Sequence, residues 1–383
     1  MKRFIALLLI LCSLLAGCAA GGSGAQSTEP PATELPKAYG DYRYFEFQPE
    51  MGNLRAFDLT DASELAYTLT FNTQTIWPDK MPEGFDSAAF IEWGKNPGLG
   101  VSALHERGFT GKGIKVAYID QPLGKTLHEE LTDVDLLRDS TVYEQYEPEF
   151  AAEGEPQMHG VAVLSLLAGR SIGVAPDATV YFVENPAWLT DQRTHADSIR
   201  RVLAYNETQP ENEKVRLVGF SDNIDSSEQY AEEFEAAVKE AEAAGVYVLF
   251  CGEFFPAVAE PMSDRDDLGN YRVADWSGHT LQPLHYVDDP WYSGPVRLGI
   301  PTDRTTADFT GGYSKWGLGG LSWAAPYAVG VLAMGMQADP TRSVEELLDL
   351  LYETAYRLND AGQQGYGLID PTAFVDAVLA AKQ

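Results

Sequence analysis

Four short, almost unbroken apolar runs constrain the fold of this chain more than any other feature. They are Ile114 to Ile119 (IKVAYI), Thr179 to Val183 (TVYFV), Val215 to Phe220 (VRLVGF) and Val246 to Phe250 (VYVLF). A strand with one wet face alternates apolar and polar residues, whereas a strand covered on both faces does not, so these runs predict a parallel sheet between layers of helices. Helical patterns lie between and after them. Glu228 to Ala244 repeats Tyr230, Phe234, Val238 and Ala241 at helical spacing, with Ser227 as the predicted N-cap and Gly245 as the predicted stop. Ser343-Val344-Glu345-Glu346 reads as a capping box ahead of Leu347, Leu348, Leu350 and Leu351. Asp370-Pro371 opens a last helix with Phe374, Val375, Val378 and Leu379 on its apolar face. The expected fold class is α/β, a doubly wound and mostly parallel sheet in three layers, beginning at about residue 98.

What precedes residue 98 has a different character. Lys2 and Arg3 lead into an apolar run from Phe4 to Leu15, then small residues. That run is short for a spanning helix, which needs roughly 20 residues, and reads as a cleaved export signal over 1–17 rather than a retained anchor. Leu15-Ala16-Gly17-Cys18 resembles a bacterial lipobox. The resemblance implies lipidation of Cys18, which would tether the mature protein to the cell membrane on its extracytoplasmic side. Residues 18–37 are small, polar and Pro-rich and read as a flexible stalk. Residues 38–97, with scattered aromatics and an alternating stretch from Tyr67 to Phe71, read as a small N-terminal module of open role.

Composition removes several functions. Lys and Arg total 27 against 57 Asp and Glu, a net charge of −30, and such a surface repels phosphate backbones, so no nucleic-acid partner is expected. Three cysteines among 383 residues exclude a disulfide-stapled fold and a four-cysteine zinc site. Neither HExxH nor a phosphate-binding GxxxxGK[ST] occurs.

Three segments carry candidate chemistry. The first predicted strand ends at Asp120, on the sheet edge where ligands gather in open parallel folds. Met158-His159-Gly160 opens an apolar helical run. Gly319-Gly320-Leu321-Ser322-Trp323-Ala324-Ala325-Pro326 puts a serine at a helix N-terminus, where free N–H groups favour developing negative charge. An acid, an imidazole and an alcohol in the order Asp, His, Ser match one known triad order.

Together with Gly111-Lys112-Gly113, Gly173-Val174-Ala175-Pro176 and Gly365-Tyr366-Gly367-Leu368-Ile369-Asp370, these segments resemble the subtilisin-like serine peptidases over residues 98–383. The resemblance implies a serine endopeptidase acting on a peptide or protein substrate. Ser322 would be the nucleophile, His159 the general base and Asp120 the group that orients the imidazole. It also implies substrate-lining roles for Ser221, Asp222, Asn223 and Gly252. The alternative is a subtilisin-like domain that binds peptides with weak or absent catalysis.

The chain departs from the family pattern at several positions. Gln121-Pro122 follows the acid, Val161-Ala162 follows His159-Gly160, and Leu321 precedes the serine. At Cys251-Gly252-Glu253 the family has an Asn that donates to the oxyanion, and in subtilisin itself removing that donor costs about 10²–10³ in rate. Three readings of Glu253 stay open: a protonated carboxyl that donates, a carboxylate turned away while Asn223 or backbone N–H groups complete the site, or a broken oxyanion site. No cofactor and no metal ligand set are expected. Asp264, Asp266, Asp267 and Asn270 lack the spacing of a calcium loop, and structural calcium has no motif behind it. The ten carboxylates from Glu129 to Glu155 read as a solvated acidic loop, and Cys251 as an inert buried thiol.

Overall fold

The computed structural model describes residues 53–55, 57–62, 69–186, 192–275, 280–281, 297–356 and 366–382. The expected signal (1–17), Cys18, the stalk (18–37), the start of the 38–97 module and Tyr67-Thr68 of the alternating stretch lie outside the described residues. In chain order the first strands are β1 (Phe71–Asn72), β2 (Lys115–Asp120), β3 (Asp135–Asp139), β4 (Thr179–Glu184), β5 (Leu217–Phe220) and β6 (Tyr247–Phe250). They are followed by β7 (Phe254–Ala259), β8 (Tyr271–Asp275), β9 (Thr280–Leu281), β10 (Arg297–Pro301), β11 (Thr305–Ala307), β12 (Tyr313–Lys315) and β13 (Tyr366–Leu368).

The four apolar runs become β2, β4, β5 and β6, and with β3 they form a fully parallel sheet in the order β3-β4-β2-β5-β6. Alternate side chains of β2 enter two different cores. Val116 and Tyr118 pack with the helices Met158–Ala168 and Leu321–Ala338, while Ala117 and Ile119 pack with Arg193–Glu207 and Ala231–Ala243. Both faces are therefore covered, giving three layers. A second sheet, β13-β10-β7-β8-β9, pairs β7, β10 and β13 in parallel and β8 and β9 antiparallel. From β2 the chain builds one side of the first sheet (β3, β4), then crosses to the other (β5, β6). The carboxyl ends of β2 and β5 thus flank a topological switch point, and Asp120 and Ser221 lie at those ends.

The helix Leu321–Ala338 accepts Pro326 within its early turns, and the capping box at Ser343 and the Asp370 N-cap form as expected. One cap differs. The helix expected over Glu228 to Ala244 starts at Ala231, and the Ser227 N–H and hydroxyl both donate to Asp225 Oδ1. The acidic stretch is also not a loop. It folds as a turn (Glu129–Leu131), the edge strand β3 and two short helices, Thr141–Tyr146 and Pro148–Glu153. Buried Glu130 accepts from the Ser171 N–H and hydroxyl. Buried Asp139 accepts from Tyr181 and Arg201; burial raises its carboxyl, yet the hydrogen bonds from Thr141, Tyr181 and Arg201 outweigh this and hold it at about 2.

Residues 71–97 join the rest of the fold through strand pairing and buried charge. β1 pairs antiparallel with β12. The helix Ser87–Lys95 is capped by Asp86 at its start, and at its end the carbonyls of Gly94 and Lys95 accept from Arg304 and that of Asn96 from Arg265. Cations at a helix C-terminus face the negative end of its dipole. Arg265 grips Asp303 with both guanidinium arms, and Lys315 donates to the carbonyls of Asp303 and Trp316. All three cations are buried, and burial lowers the Arg304 guanidinium to about 10 and the Lys315 amine to about 7.

Candidate active site

Asp120 and His159 meet directly. Asp120 Oδ1 lies 2.8 Å from His159 Nδ1, with the Asp120 residue 5% exposed. An ionised carboxylate only accepts, so Nδ1 carries the proton and Nε2 keeps its lone pair. Gln121 fixes both partners. Its N–H donates to Asp120 Oδ1 at 2.7 Å and its Oε1 accepts the His159 N–H at 3.1 Å. The start of the His159 helix sits so tightly on this residue that a Cβ at Gly160 would fall 1.9 Å from the Gln121 carbonyl oxygen. Gly160 is thus a requirement of close backbone approach.

Burial is the largest influence on His159 and disfavours its charged form. The charge and hydrogen bond of Asp120, with the charge of Asp222, outweigh it, and the imidazole titrates above its ordinary range.

Ser322 is half-buried at the second position of the helix Leu321–Ala338, where a backbone N–H has no helical acceptor. The next residue brings it beside the histidine: the rings of Trp323 and His159 stack with centroids 5.2 Å apart and planes at 28°. Ser322 Oγ makes no hydrogen bond to His159 among the described residues. Such contacts commonly tighten only when substrate is bound. The Ser322 carbonyl accepts from Ser221 Oγ at 2.9 Å, and because that uses the one Ser221 proton, Tyr118 OH is the donor in its own short bond to Ser221 Oγ. A hydroxyl chain therefore ties the end of β5 to the start of the Ser322 helix.

Glu253 turns away from this cleft. It ends a 3₁₀ turn, Cys251–Glu253, and its Oε1 accepts the Phe250 N–H at 2.9 Å while Oε2 accepts the Tyr247 hydroxyl at 3.2 Å. Both oxygens act as acceptors, the behaviour of an ionised carboxylate. Exposed Asn223 lies over the same turn: the Gly252 N–H donates to its Oδ1 at 2.9 Å, and its Nδ2 makes only a long 3.5 Å contact to Cys251 Sγ. Asp222 is exposed and pairs with His195 Nε2 at 3.3 Å. Cys251 is buried, and burial, with the Asp222 charge, pushes its thiol up to about 12. Asp264, Asp266 and Asp267 cap local turns or the Gly100 N–H, and among the described residues no group of three or more His, Cys, Asp or Glu is arranged to hold a metal.

Sequence reasoning did not foresee Gln121, Tyr118 or the stacked face of Trp323. Gln121 appeared only as a departure from pattern, and Tyr118 only as one apolar position in a strand. The usable signal was Gly319: its φ is 67°, and a Cβ there would fall 1.9 Å from the Thr302 carbonyl oxygen and 2.6 Å from Trp323 Cδ1, so only glycine fits between them.

No family profile matches the chain. It is 26% identical to subtilisin BL of Lederbergia lenta over 292 residues, spanning 75% of this chain and 99% of that protein. It is 26% identical to alkaline elastase YaB of Bacillus sp. (strain YaB) over 292 residues, 74% of this chain and 70% of that protein. M-protease of Shouchella clausii (strain KSM-K16) is 25% identical over 319 residues, 82% of this chain and 76% of that protein. Among solved structures, the prenylagaramide maturation protease PagA superposes with a TM-score of 0.49 at 16% identity, over 73% of this chain and 98% of that one. A chain of the subtilase cytotoxin SubAB assembly gives 0.48 at 14% identity, over 74% and 96%.

Proposed function

The chain belongs to the subtilisin-like family, and from that premise we propose that it is a serine endopeptidase working through Asp120, His159 and Ser322. The observation that carries the reading is the 2.8 Å bond from His159 Nδ1 to Asp120, made by a ring that rests on the neighbour of Ser322. Nε2 takes the hydroxyl proton as Ser322 attacks the scissile carbonyl, and returns it to the leaving amine; Asp120 stabilises the imidazolium between these steps. Water then attacks the acyl-enzyme by the same route reversed.

The oxyanion is stabilised by the Ser322 N–H at the helix start and by the Asn223 amide, whose oxygen accepts from the Gly252 N–H and whose Nδ2 has only the long Cys251 contact to give up. Ser221 contributes through the Ser322 carbonyl rather than through substrate, and the backbone of Ser221-Asp222-Asn223 with Gly252 lines the path of an extended peptide. The acid partners of His159 set the pH behaviour. The base must be neutral to act, so a raised imidazole moves the acid limb of kcat/KM above about 6.5. Lipidation of Cys18 would hold the enzyme outside the cytoplasm at the membrane surface; among the described residues no helix is long and apolar enough to cross one.

Steady-state hydrolysis of fluorogenic peptides and a denatured protein tests the reading. Wild type is expected to cleave, with Ser322→Ala and Asp120→Asn each lower in kcat by about 10⁴-fold or more. Tight peptide binding by a folded wild type that releases no product would overturn it in favour of a peptide-binding domain.

A further inference from the structure

Trp323 stands against the side chain that takes up a proton and returns it during the proposed reaction. It is 3% exposed, its face lies over the His159 ring, and Trp316 supports it at 4.8 Å between centroids with planes at 57°. The indole N–H makes no hydrogen bond among the described residues, although a buried tryptophan normally finds one. What the ring offers here is its face, the electron-rich part that attracts a cation.

The other groups facing the imidazole are few. β2 supplies Asp120, while its Tyr118 hydroxyl is engaged with Ser221, and the segment after β5 supplies Asp222, itself shared with His195. The turn Glu129–Leu131 also packs on the His159 helix, but Glu130 is held by Ser171 and both Glu129 and Glu130 by the Tyr313 hydroxyl. β11 presents no titratable group, and Tyr327 on the Ser322 helix reaches toward the Gly98 carbonyl.

We propose that Trp323 is a positioning residue for peptide hydrolysis: its indole face holds the His159 ring in line with Ser322 and supports the cation which that ring becomes on accepting the serine proton. The proposal rests on the triad reading above, and extends it to a residue that touches neither the scissile bond nor the oxyanion. Asp120 steers the ring from its edge and Trp323 from its face, so tilt and rotation are both restrained. An imidazolium gains from the aromatic face more than a neutral imidazole does, which directs the stabilisation to the charged intermediate.

The test follows His159 by NMR titration of isotopically labelled histidine in the full chain with Ser322→Ala, beside pH profiles of kcat and KM with Ser322 intact. Trp323→Leu is expected to lower the His159 pKa by about half to one unit and kcat by about 3- to 10-fold with KM little changed. Trp323→Phe, which keeps an aromatic face, restores most of both. A Leu variant that titrates like wild type overturns the proposal, as does a Phe variant no better than Leu. If Trp323→Leu does not fold, indole emission decides. Wild type shows a fluorescence step at the His159 pKa that is missing in His159→Gln, and a step unchanged by His159→Gln overturns the proposal. The titration needs no turnover, so a shifted pKa in a protein that hydrolyses nothing would reject the peptidase reading and leave the stacking role standing.

Discussion

Glu253 carries two acceptor oxygens and uses both inside its own turn, one on the Phe250 N–H and one on the Tyr247 hydroxyl. A carboxylate that faces an oxyanion repels it, whereas one that caps its own backbone does not. Glu253→Gln keeps an acceptor for Phe250 and removes the charge, so kcat/KM is expected to stay within about threefold of wild type. A gain of tenfold or more, measured on the same fluorogenic peptide, would show that the carboxylate does face the developing charge. Of the three sequence readings of this residue, the geometry supports the one in which it is turned away. Sequence alone could not choose, because Glu253 sits three residues after Phe250 and only the fold reveals that the intervening 3₁₀ turn brings its side chain back to that N–H. The Asp120–His159 contact was legible for a simpler reason: an acid ending a buried strand and a histidine opening a buried helix have few places to go in a parallel sheet. Gln121 was not, since a side-chain amide bridging to the His159 backbone leaves no periodic trace.

Elements were read most securely where burial alone dictates them. The apolar runs became strands because both their faces needed cover, and the Ser343 and Asp370 caps formed because each side chain satisfies N–H groups within its own first turn. Ser227 is not the cap: its N–H and hydroxyl donate to Asp225, two residues earlier, in a local turn, and the helix begins only at Ala231. The acidic stretch from Glu129 to Glu155 misled because charge suggests solvent, while Tyr181, Arg201 and Ser171, all distant in sequence, give Asp139 and Glu130 buried partners. Residues 71–97 show the same effect on a larger scale. The carbonyls that end the helix Ser87–Lys95 are acceptors for Arg304 and Arg265, and β12 pairs with β1. Removing an acceptor from a buried charge costs about 3–5 kcal/mol, a large part of a typical stability of about 5–15 kcal/mol. A fragment beginning at residue 98 is therefore expected to be insoluble or to lack a cooperative thermal transition by circular dichroism, whereas one beginning at residue 38 melts like the full chain. A soluble 98–383 fragment with an unchanged Tm would contradict this.

Across the whole molecule, one sheet with two cores places the ends of β2 and β5 side by side and lays the two functional helices, Met158–Ala168 and Leu321–Ala338, on the same face. That arrangement brings Asp120, His159 and the Trp323 neighbour of Ser322 together from segments some 40 and 160 residues apart. Among the described residues, this chain of net charge −30 also buries three basic side chains, Arg265, Arg304 and Lys315, a feature that composition concealed because they are few and scattered. The convergence of acid, imidazole and alcohol is the central claim, and a fluorophosphonate tests it most directly, since the reagent modifies a serine only where a base has activated it. Treatment of the full chain at neutral pH, followed by peptide mapping in a mass spectrometer, is expected to give a single adduct on Ser322 that His159→Ala abolishes. A folded protein that acquires no adduct, or acquires one on another serine, would contradict the account.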